Sequence, residues 1–169
     1  MITALAFFSY FLIFALLAAL AWRDLKEYIL PNLMNAALAI SFCSFHISTG
    51  WSLISPPNAL VGAAVGGGFL LAIGMAADHF YKKDSLGMGD VKLMAAAGLG
   101  LGFPNILLAM SIGAFAGLLH GAVISLYHEK KTGERIPFGE INVPAGLGLT
   151  VGIAIVVITQ FGFSWVDFK

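Results

Sequence analysis

Residues 3–22, TALAFFSYFLIFALLAALAW, run uncharged for twenty positions and end at Arg23-Asp24-Leu25-Lys26-Glu27. A helix rises ~1.5 Å per residue, so such a run covers ~30 Å, the thickness of a bilayer's hydrocarbon core. It reads as a first membrane span closed by a charged cluster. No basic region precedes the apolar run and no convincing small-residue cleavage site follows it, so the segment is expected to be retained rather than removed as a signal peptide.

The same grammar recurs along the chain. Spans are expected at 3–22, 33–48, 58–77, 91–103, 105–127 and 142–163, separated by charged or Gly/Pro-containing breaks. The segment Thr49 to Pro57 closes the second span, His79 to Asp90 follows the third, Phe103-Pro104-Asn105 parts the fourth from the fifth, and His128 to Glu140 precedes the sixth. Composition agrees: 59% of the 169 residues are hydrophobic and 11% are charged, whereas soluble domains are about a quarter charged. A β-barrel would show alternating segments of about ten residues, and these runs do not alternate. The expected fold is an all-α membrane protein, a bundle of about six transmembrane helices forming one domain over 1–169.

Charge fixes the expected orientation. Arg23, Lys26, Lys82, Lys83, Lys92, Lys130, Lys131 and Arg135 fall in connections on one side, and only Lys169 falls on the other. Basic residues are retained on the cytoplasmic side, so these connections are expected in the cytoplasm, with both termini outside a bacterial inner membrane. Of the acidic residues only Asp167 lies on the outer side. The net charge is zero, which leaves no electrostatic case for nucleic acid. Cys43 stands alone in an apolar run, so neither an intrachain disulfide nor a cysteine-based zinc site is expected. Glycines at four-residue spacing (Gly62/Gly66, Gly98/Gly102, Gly113/Gly117/Gly121, Gly148/Gly152) describe close helix packing, since small residues let helix backbones approach in lipid.

Two aspartates carry the chemical reading. Asp90 closes Gly87-Met88-Gly89-Asp90, and the helix after it reaches only to about Gly102. About twelve residues rise only ~18 Å, too little for a ~30 Å core. A re-entrant-like loop is therefore expected, with Gly87 and Gly89 giving the chain room to turn and Asp90 at a helix start, where backbone N–H groups favour negative charge. Asp24 lies at the same membrane face at the end of the first span. Two neighbouring carboxylates in a poorly solvated site cannot both ionise cheaply, so they share a proton. The ionised member then activates a water and the protonated member polarises a carbonyl, which suits peptide hydrolysis without cofactor, metal or covalent intermediate.

These residues resemble the type IV prepilin peptidase family of GxGD aspartyl proteases. The resemblance rests on Gly87-Met88-Gly89-Asp90-Val91-Lys92-Leu93, on Asp24 followed by Leu30-Pro31-Asn32, and on Ile136-Pro137-Phe138-Gly139. It implies an intramembrane aspartyl endopeptidase that removes the basic leader of a prepilin at the cytoplasmic face, with Asp24 and Asp90 catalytic. Gly87 and Gly89 would shape the loop, and Lys92 would act on the substrate or the dyad. The resemblance further implies a prepilin substrate with a hydrophobic helix. Longer members add a cysteine-rich domain and N-methylate the product; these residues hold no cysteine tetrad, so peptidase activity without methylation is expected, as in short forms serving Flp-type tight-adherence pili. Two departures stand out: Leu30 where the family usually has Ile, and Glu140-Ile141-Asn142 after the Ile-Pro-Phe-Gly element.

Two other classes compete. Intramembrane acids also mark ion pathways, so a small ion- or proton-coupled transporter is an alternative, although neither acid is spaced through the membrane and no duplicated halves appear. A non-catalytic pilus assembly factor is the second. His120, within the fifth span, reads as a packed neutral histidine, while His46, His79 and His128 lie near span ends. Asp78, Asp84 and Glu140 are spare acids on the charged side, Asp84 being the first substitute for a dyad member. The lysine pairs Lys82/Lys83 and Lys130/Lys131 read as topology signals that favour anionic headgroups. Glu27 or Glu134 suits a basic leader.

Overall fold

The structure, a computed structural model, describes residues 2–81, 87–132 and 144–162. Each expected run becomes a helix: α1 (Ile2–Glu27), α2 (Asn32–Ser48), α3 (Pro56–Tyr81), α4 (Met88–Leu101), α5 (Asn105–Thr132) and α6 (Ala145–Val157), the last continuing into a π-helical turn over Ile158–Gly162. The described residues contain no strand. This is an all-α bundle. Four segments, Ala4–Glu27, Pro56–Ala77, Asn105–Lys131 and Ala145–Gly162, are long and apolar enough to cross a membrane. Helices α2 and α4, of 17 and 14 residues, would rise only ~26 and ~21 Å.

The breaks are made by backbone chemistry that the sequence announces. Tyr28 ends α1 with a left-handed φ of 53°, and Gly50 and Trp51 do the same after α2 at 64° and 57°. Gly102 closes α4 at φ 67°, where a side chain would be strained. Its neighbour Phe103 donates its N–H to Asn58 Oδ1 at 2.9 Å, tying the α4–α5 corner to the start of α3.

Helix α4 occupies the middle. Val91, Leu93, Met94, Ala96, Ala97 and Leu101 of α4 are all buried, and α4 touches α2, α3, α5 and α6. Glycines set the spacing as expected. A methyl on Gly98 would run into the backbone of Gly62 and one on Gly62 into that of Gly98, so α3 and α4 cross backbone against backbone. The α5–α6 crossing repeats this: Gly148 lies against Gly113 and Gly117, and Gly152 against Ala109 and Gly113. The outer faces carry Phe8, Phe11, Ile40, Leu60, Phe69, Phe115 and Val123 to the surroundings, as a lipid-facing surface does.

At the end of the bundle opposite the aspartates, His46 is completely buried and its Nε2 lies 2.8 Å from the Gly100 carbonyl, with Trp51 stacked on the ring. His120 is half-buried on α5. The Ile136-Pro137-Phe138-Gly139 element, Lys82, Lys83, Asp84, Glu134, Arg135, Glu140, Asp167 and Lys169 lie outside the described residues.

Candidate active site

Helix α1 continues past Trp22 to Glu27, so Asp24 stands in its last turn, 5% exposed. A carboxylate there faces the negative end of its own helix dipole and needs compensating donors. They come from the start of α6. The Leu147 N–H donates to Asp24 Oδ2 at 2.8 Å, and the Gly146 N–H adds to it. Gly146 is also sterically required, because a Cβ on it would sit 2.9 Å from Asp24 Cγ and Oδ2 and from Leu30 Cδ1.

Asp90 occupies the first turn of α4, 9% exposed. The stretch Gly-Met-Gly-Asp is helical from Met88 onward, with Gly87 as the N-cap. Gly87 has φ −67° and ψ 125°, an ordinary extended conformation open to any residue. The turn-shaping role expected of these glycines is therefore replaced by a spatial one. A Cβ on Gly87 would lie 3.2 Å from Asp90 Oδ2, and one on Gly89 would lie 2.9 Å from Leu30 Cβ and 3.2 Å from its carbonyl oxygen. The glycines let the Asp90 helix start press against the Leu30-Pro31 connection.

That connection brings the two acids to one place. Asp24, Tyr28, Ile29, Leu30, Gly87, Gly89 and Asp90 line a cavity of about 180 Å³, with Tyr28 and Ile29 exposed at its edge. Asp90 lies outside the four segments long enough to span a membrane. Burial pushes its carboxyl up to about 6, and the negative charge of Asp24 adds to the effect. Its Oδ1 is buried and has no hydrogen-bond partner among the described residues. A protonated carboxyl costs far less in that position than an ionised one.

The family of type IV leader peptidases matches residues 11–122, a stretch that holds both aspartates. This chain belongs to that family. It is 28% identical over 130 residues to the prepilin leader peptidase/N-methyltransferase of Aeromonas hydrophila, covering 77% of this chain and 44% of the relative. It is 28% identical over 129 residues to that of Escherichia coli K12 (76% and 56%) and 29% over 153 residues to that of Dickeya chrysanthemi (88% and 52%). The chain spans about half the length of these curated relatives. No solved structure matches it at a significant level.

Lys92 meets neither the cavity lining nor the dyad: its Nζ donates to Asn32 Oδ1 at 2.8 Å on the exposed surface. Glu27, one candidate for a basic leader, pairs with Arg23 at 2.6 Å. Three residues escaped the sequence reading. Asn35, buried on α2, donates Nδ2 to the Gly89 carbonyl at 3.1 Å, and Gly146 and Leu147 hold Asp24. Asn35 stands three positions past Asn32 within the Leu-Pro-Asn helix start, the one signal available for it.

Proposed function

We propose that this protein is an intramembrane aspartyl endopeptidase that cleaves the leader from prepilins, with Asp24 and Asp90 as the catalytic pair. The observation that carries the reading is the placement of two buried carboxylates, from α1 and α4, on the wall of one cavity. Membership of the type IV leader peptidase family supports the same substrate class.

The mechanism follows from one shared proton. A water held between the carboxyls attacks the scissile carbonyl carbon while the ionised aspartate takes its proton and the protonated aspartate gives its own to the carbonyl oxygen. The resulting gem-diol collapses with cleavage of the C–N bond. The amine leaves with the proton borrowed from water, and a diol hydroxyl returns the other, so the pair ends as it began.

Finer points belong to the same proposal. The site faces the cytoplasm of a bacterial inner membrane with both termini outside, supported by eight Lys and Arg against one. The preferred substrates are Flp-type prepilins, and the chain acts as one domain. These residues carry a single cysteine, Cys43 within α2, and the trimming step alone is assigned to them. The deciding experiment incubates the purified protein in detergent with a candidate prepilin and sequences the new N-terminus. One cut ahead of the hydrophobic helix, giving an unmethylated product, is the expected result. An intact prepilin sinks the proposal.

A further inference from the structure

Asp24 and Asp90 are both buried, yet the backbone treats them differently. Asp24 Oδ2 accepts the Leu147 N–H at 2.8 Å, with the Gly146 N–H adding to it, at the positive end of α6. Asp90 Oδ1 is buried and receives no donor from the described residues. Hydrogen bonds to a carboxylate favour its ionised form, whereas a buried oxygen with no donor favours the protonated one. The glycine at 146 sharpens the contrast, since any side chain there would collide with the Asp24 carboxyl group.

We propose that the start of α6 is a positioning element of the catalytic site: the Gly146 and Leu147 amides hold Asp24 as the carboxylate that takes the proton from water, leaving the shared proton on Asp90. The assignment rests on the peptidase reading above. It makes α6, which lies beyond the stretch matched by the family, the part that breaks the symmetry of the pair. The proton from water goes to Asp24 and then to the departing amine, while Asp90 protonates the carbonyl oxygen and recovers a proton from the diol.

Among the described residues, few other groups surround the pair. The α6 segment Ala145–Gly162 contains no charged residue. Among the described residues, Tyr28 is the one further titratable group on the cavity wall. On α1, Arg23 is paired with Glu27 and Lys26 lies over the Trp22 ring. On the α2–α4 side Lys92 is bound to Asn32.

Replacing Leu147 with proline deletes one N–H in the first helical turn, where no intrahelical bond is lost. Leu147→Ala removes the side chain but keeps the donor, so the readout is the difference between the two pH–rate profiles. The acid limb of Leu147→Pro is expected at higher pH than that of Leu147→Ala, by about tenfold in proton concentration, with the basic limbs superimposed. A shift of the basic limb instead, or coincident profiles, overturns the assignment. A second measurement needs neither turnover nor the proline variant. The infrared stretch of a protonated carboxyl, recorded without substrate at about pH 5.5 where unperturbed carboxyls are ionised, is expected to survive in Asp24→Asn and vanish in Asp90→Asn. The reverse pattern overturns the assignment. If the unmodified chain cleaves no prepilin, the peptidase reading fails, and the infrared pattern still decides where the proton sits.

Discussion

Asn35 Nδ2 donates to the Gly89 carbonyl oxygen at 3.1 Å, fastening the first turn of α2 to the residue directly ahead of Asp90. Asn35 is 3% exposed, so this bond forms away from solvent. Asn35→Leu keeps the side-chain volume and deletes the donor. A net hydrogen bond is worth about 1 kcal/mol, and a helix start freed to drift misplaces a catalytic group. Cleavage measured as kcat/KM is expected to fall about tenfold, with a modest drop in thermal unfolding temperature in detergent. An unchanged rate would mean that Asp90 holds its position without α2.

Lys92 provides the contrast. Its bond to Asn32 lies on the exposed surface, and exposed polar pairs contribute little. Lys92→Met is expected to alter kcat/KM by less than about threefold. A hundredfold loss would instead put its ammonium group in the chemistry.

The contrast between these two residues shows what was readable beforehand. Helix number, order and breaks follow from features local in sequence: uncharged runs, charge clusters, Gly102 with Pro104. The candidacy of Asp24 and Asp90 follows from their shared membrane face. The groups that orient them do not. Asn35 reaches Gly89 across 54 positions and Leu147 reaches Asp24 across 123, and pairings that distant leave no local periodicity. Gly146 carries no side chain to advertise a role; only a folded neighbour reveals that its space is needed by Asp24. Gly87 and Gly89 were legible as important, but the obvious reason, backbone freedom, gives way to close approach against Leu30 and Asp90.

Isosteric removal of either acid separates the competing functions. Asp24→Asn and Asp90→Asn each retain shape and lose the proton chemistry, so prepilin cleavage is expected to drop by a factor of about a thousand or more. Membrane insertion and helix content by circular dichroism should match the unmodified protein. Pilus assembly persisting in cells that carry either variant would favour a non-catalytic assembly role.

The bundle's packing makes a second, independent forecast from two glycines on neighbouring helices. Gly98 in α4 meets the Gly62 backbone, while Gly68 in α3 has nothing within 4 Å of where its Cβ would stand. Gly98→Ala forces the α3–α4 crossing apart and is expected to destabilise by about 1–3 kcal/mol. Gly68→Ala gains helix propensity and is expected to stabilise by about 0.5–1 kcal/mol. Opposite shifts in thermal unfolding in one detergent check both signs at once. Equal shifts would remove the close crossing as the reason for the glycine row.

The pH dependence follows from Asp90, whose carboxyl is pushed from 3.8 up to about 6 by burial first and by the Asp24 charge second. A raised value means that Asp90 keeps its proton through the acidic range and loses it as pH climbs past about 6. The active pair carries one proton. Activity therefore falls on the alkaline side as Asp90 ionises, and on the acid side as the pair takes a second proton, giving a bell whose two limbs belong to the pair jointly. Stability obeys the same sign: a buried acid with a raised value favours the fold fully below its unfolded value, and that contribution is lost as pH rises through about 6. Asp90→Asn imitates the protonated carboxyl and cannot ionise, so the alkaline decline in unfolding temperature should flatten in this variant. A monotonic rate profile through the acidic range, or an alkaline decline unaffected by Asp90→Asn, would remove Asp90 as the group that holds the proton.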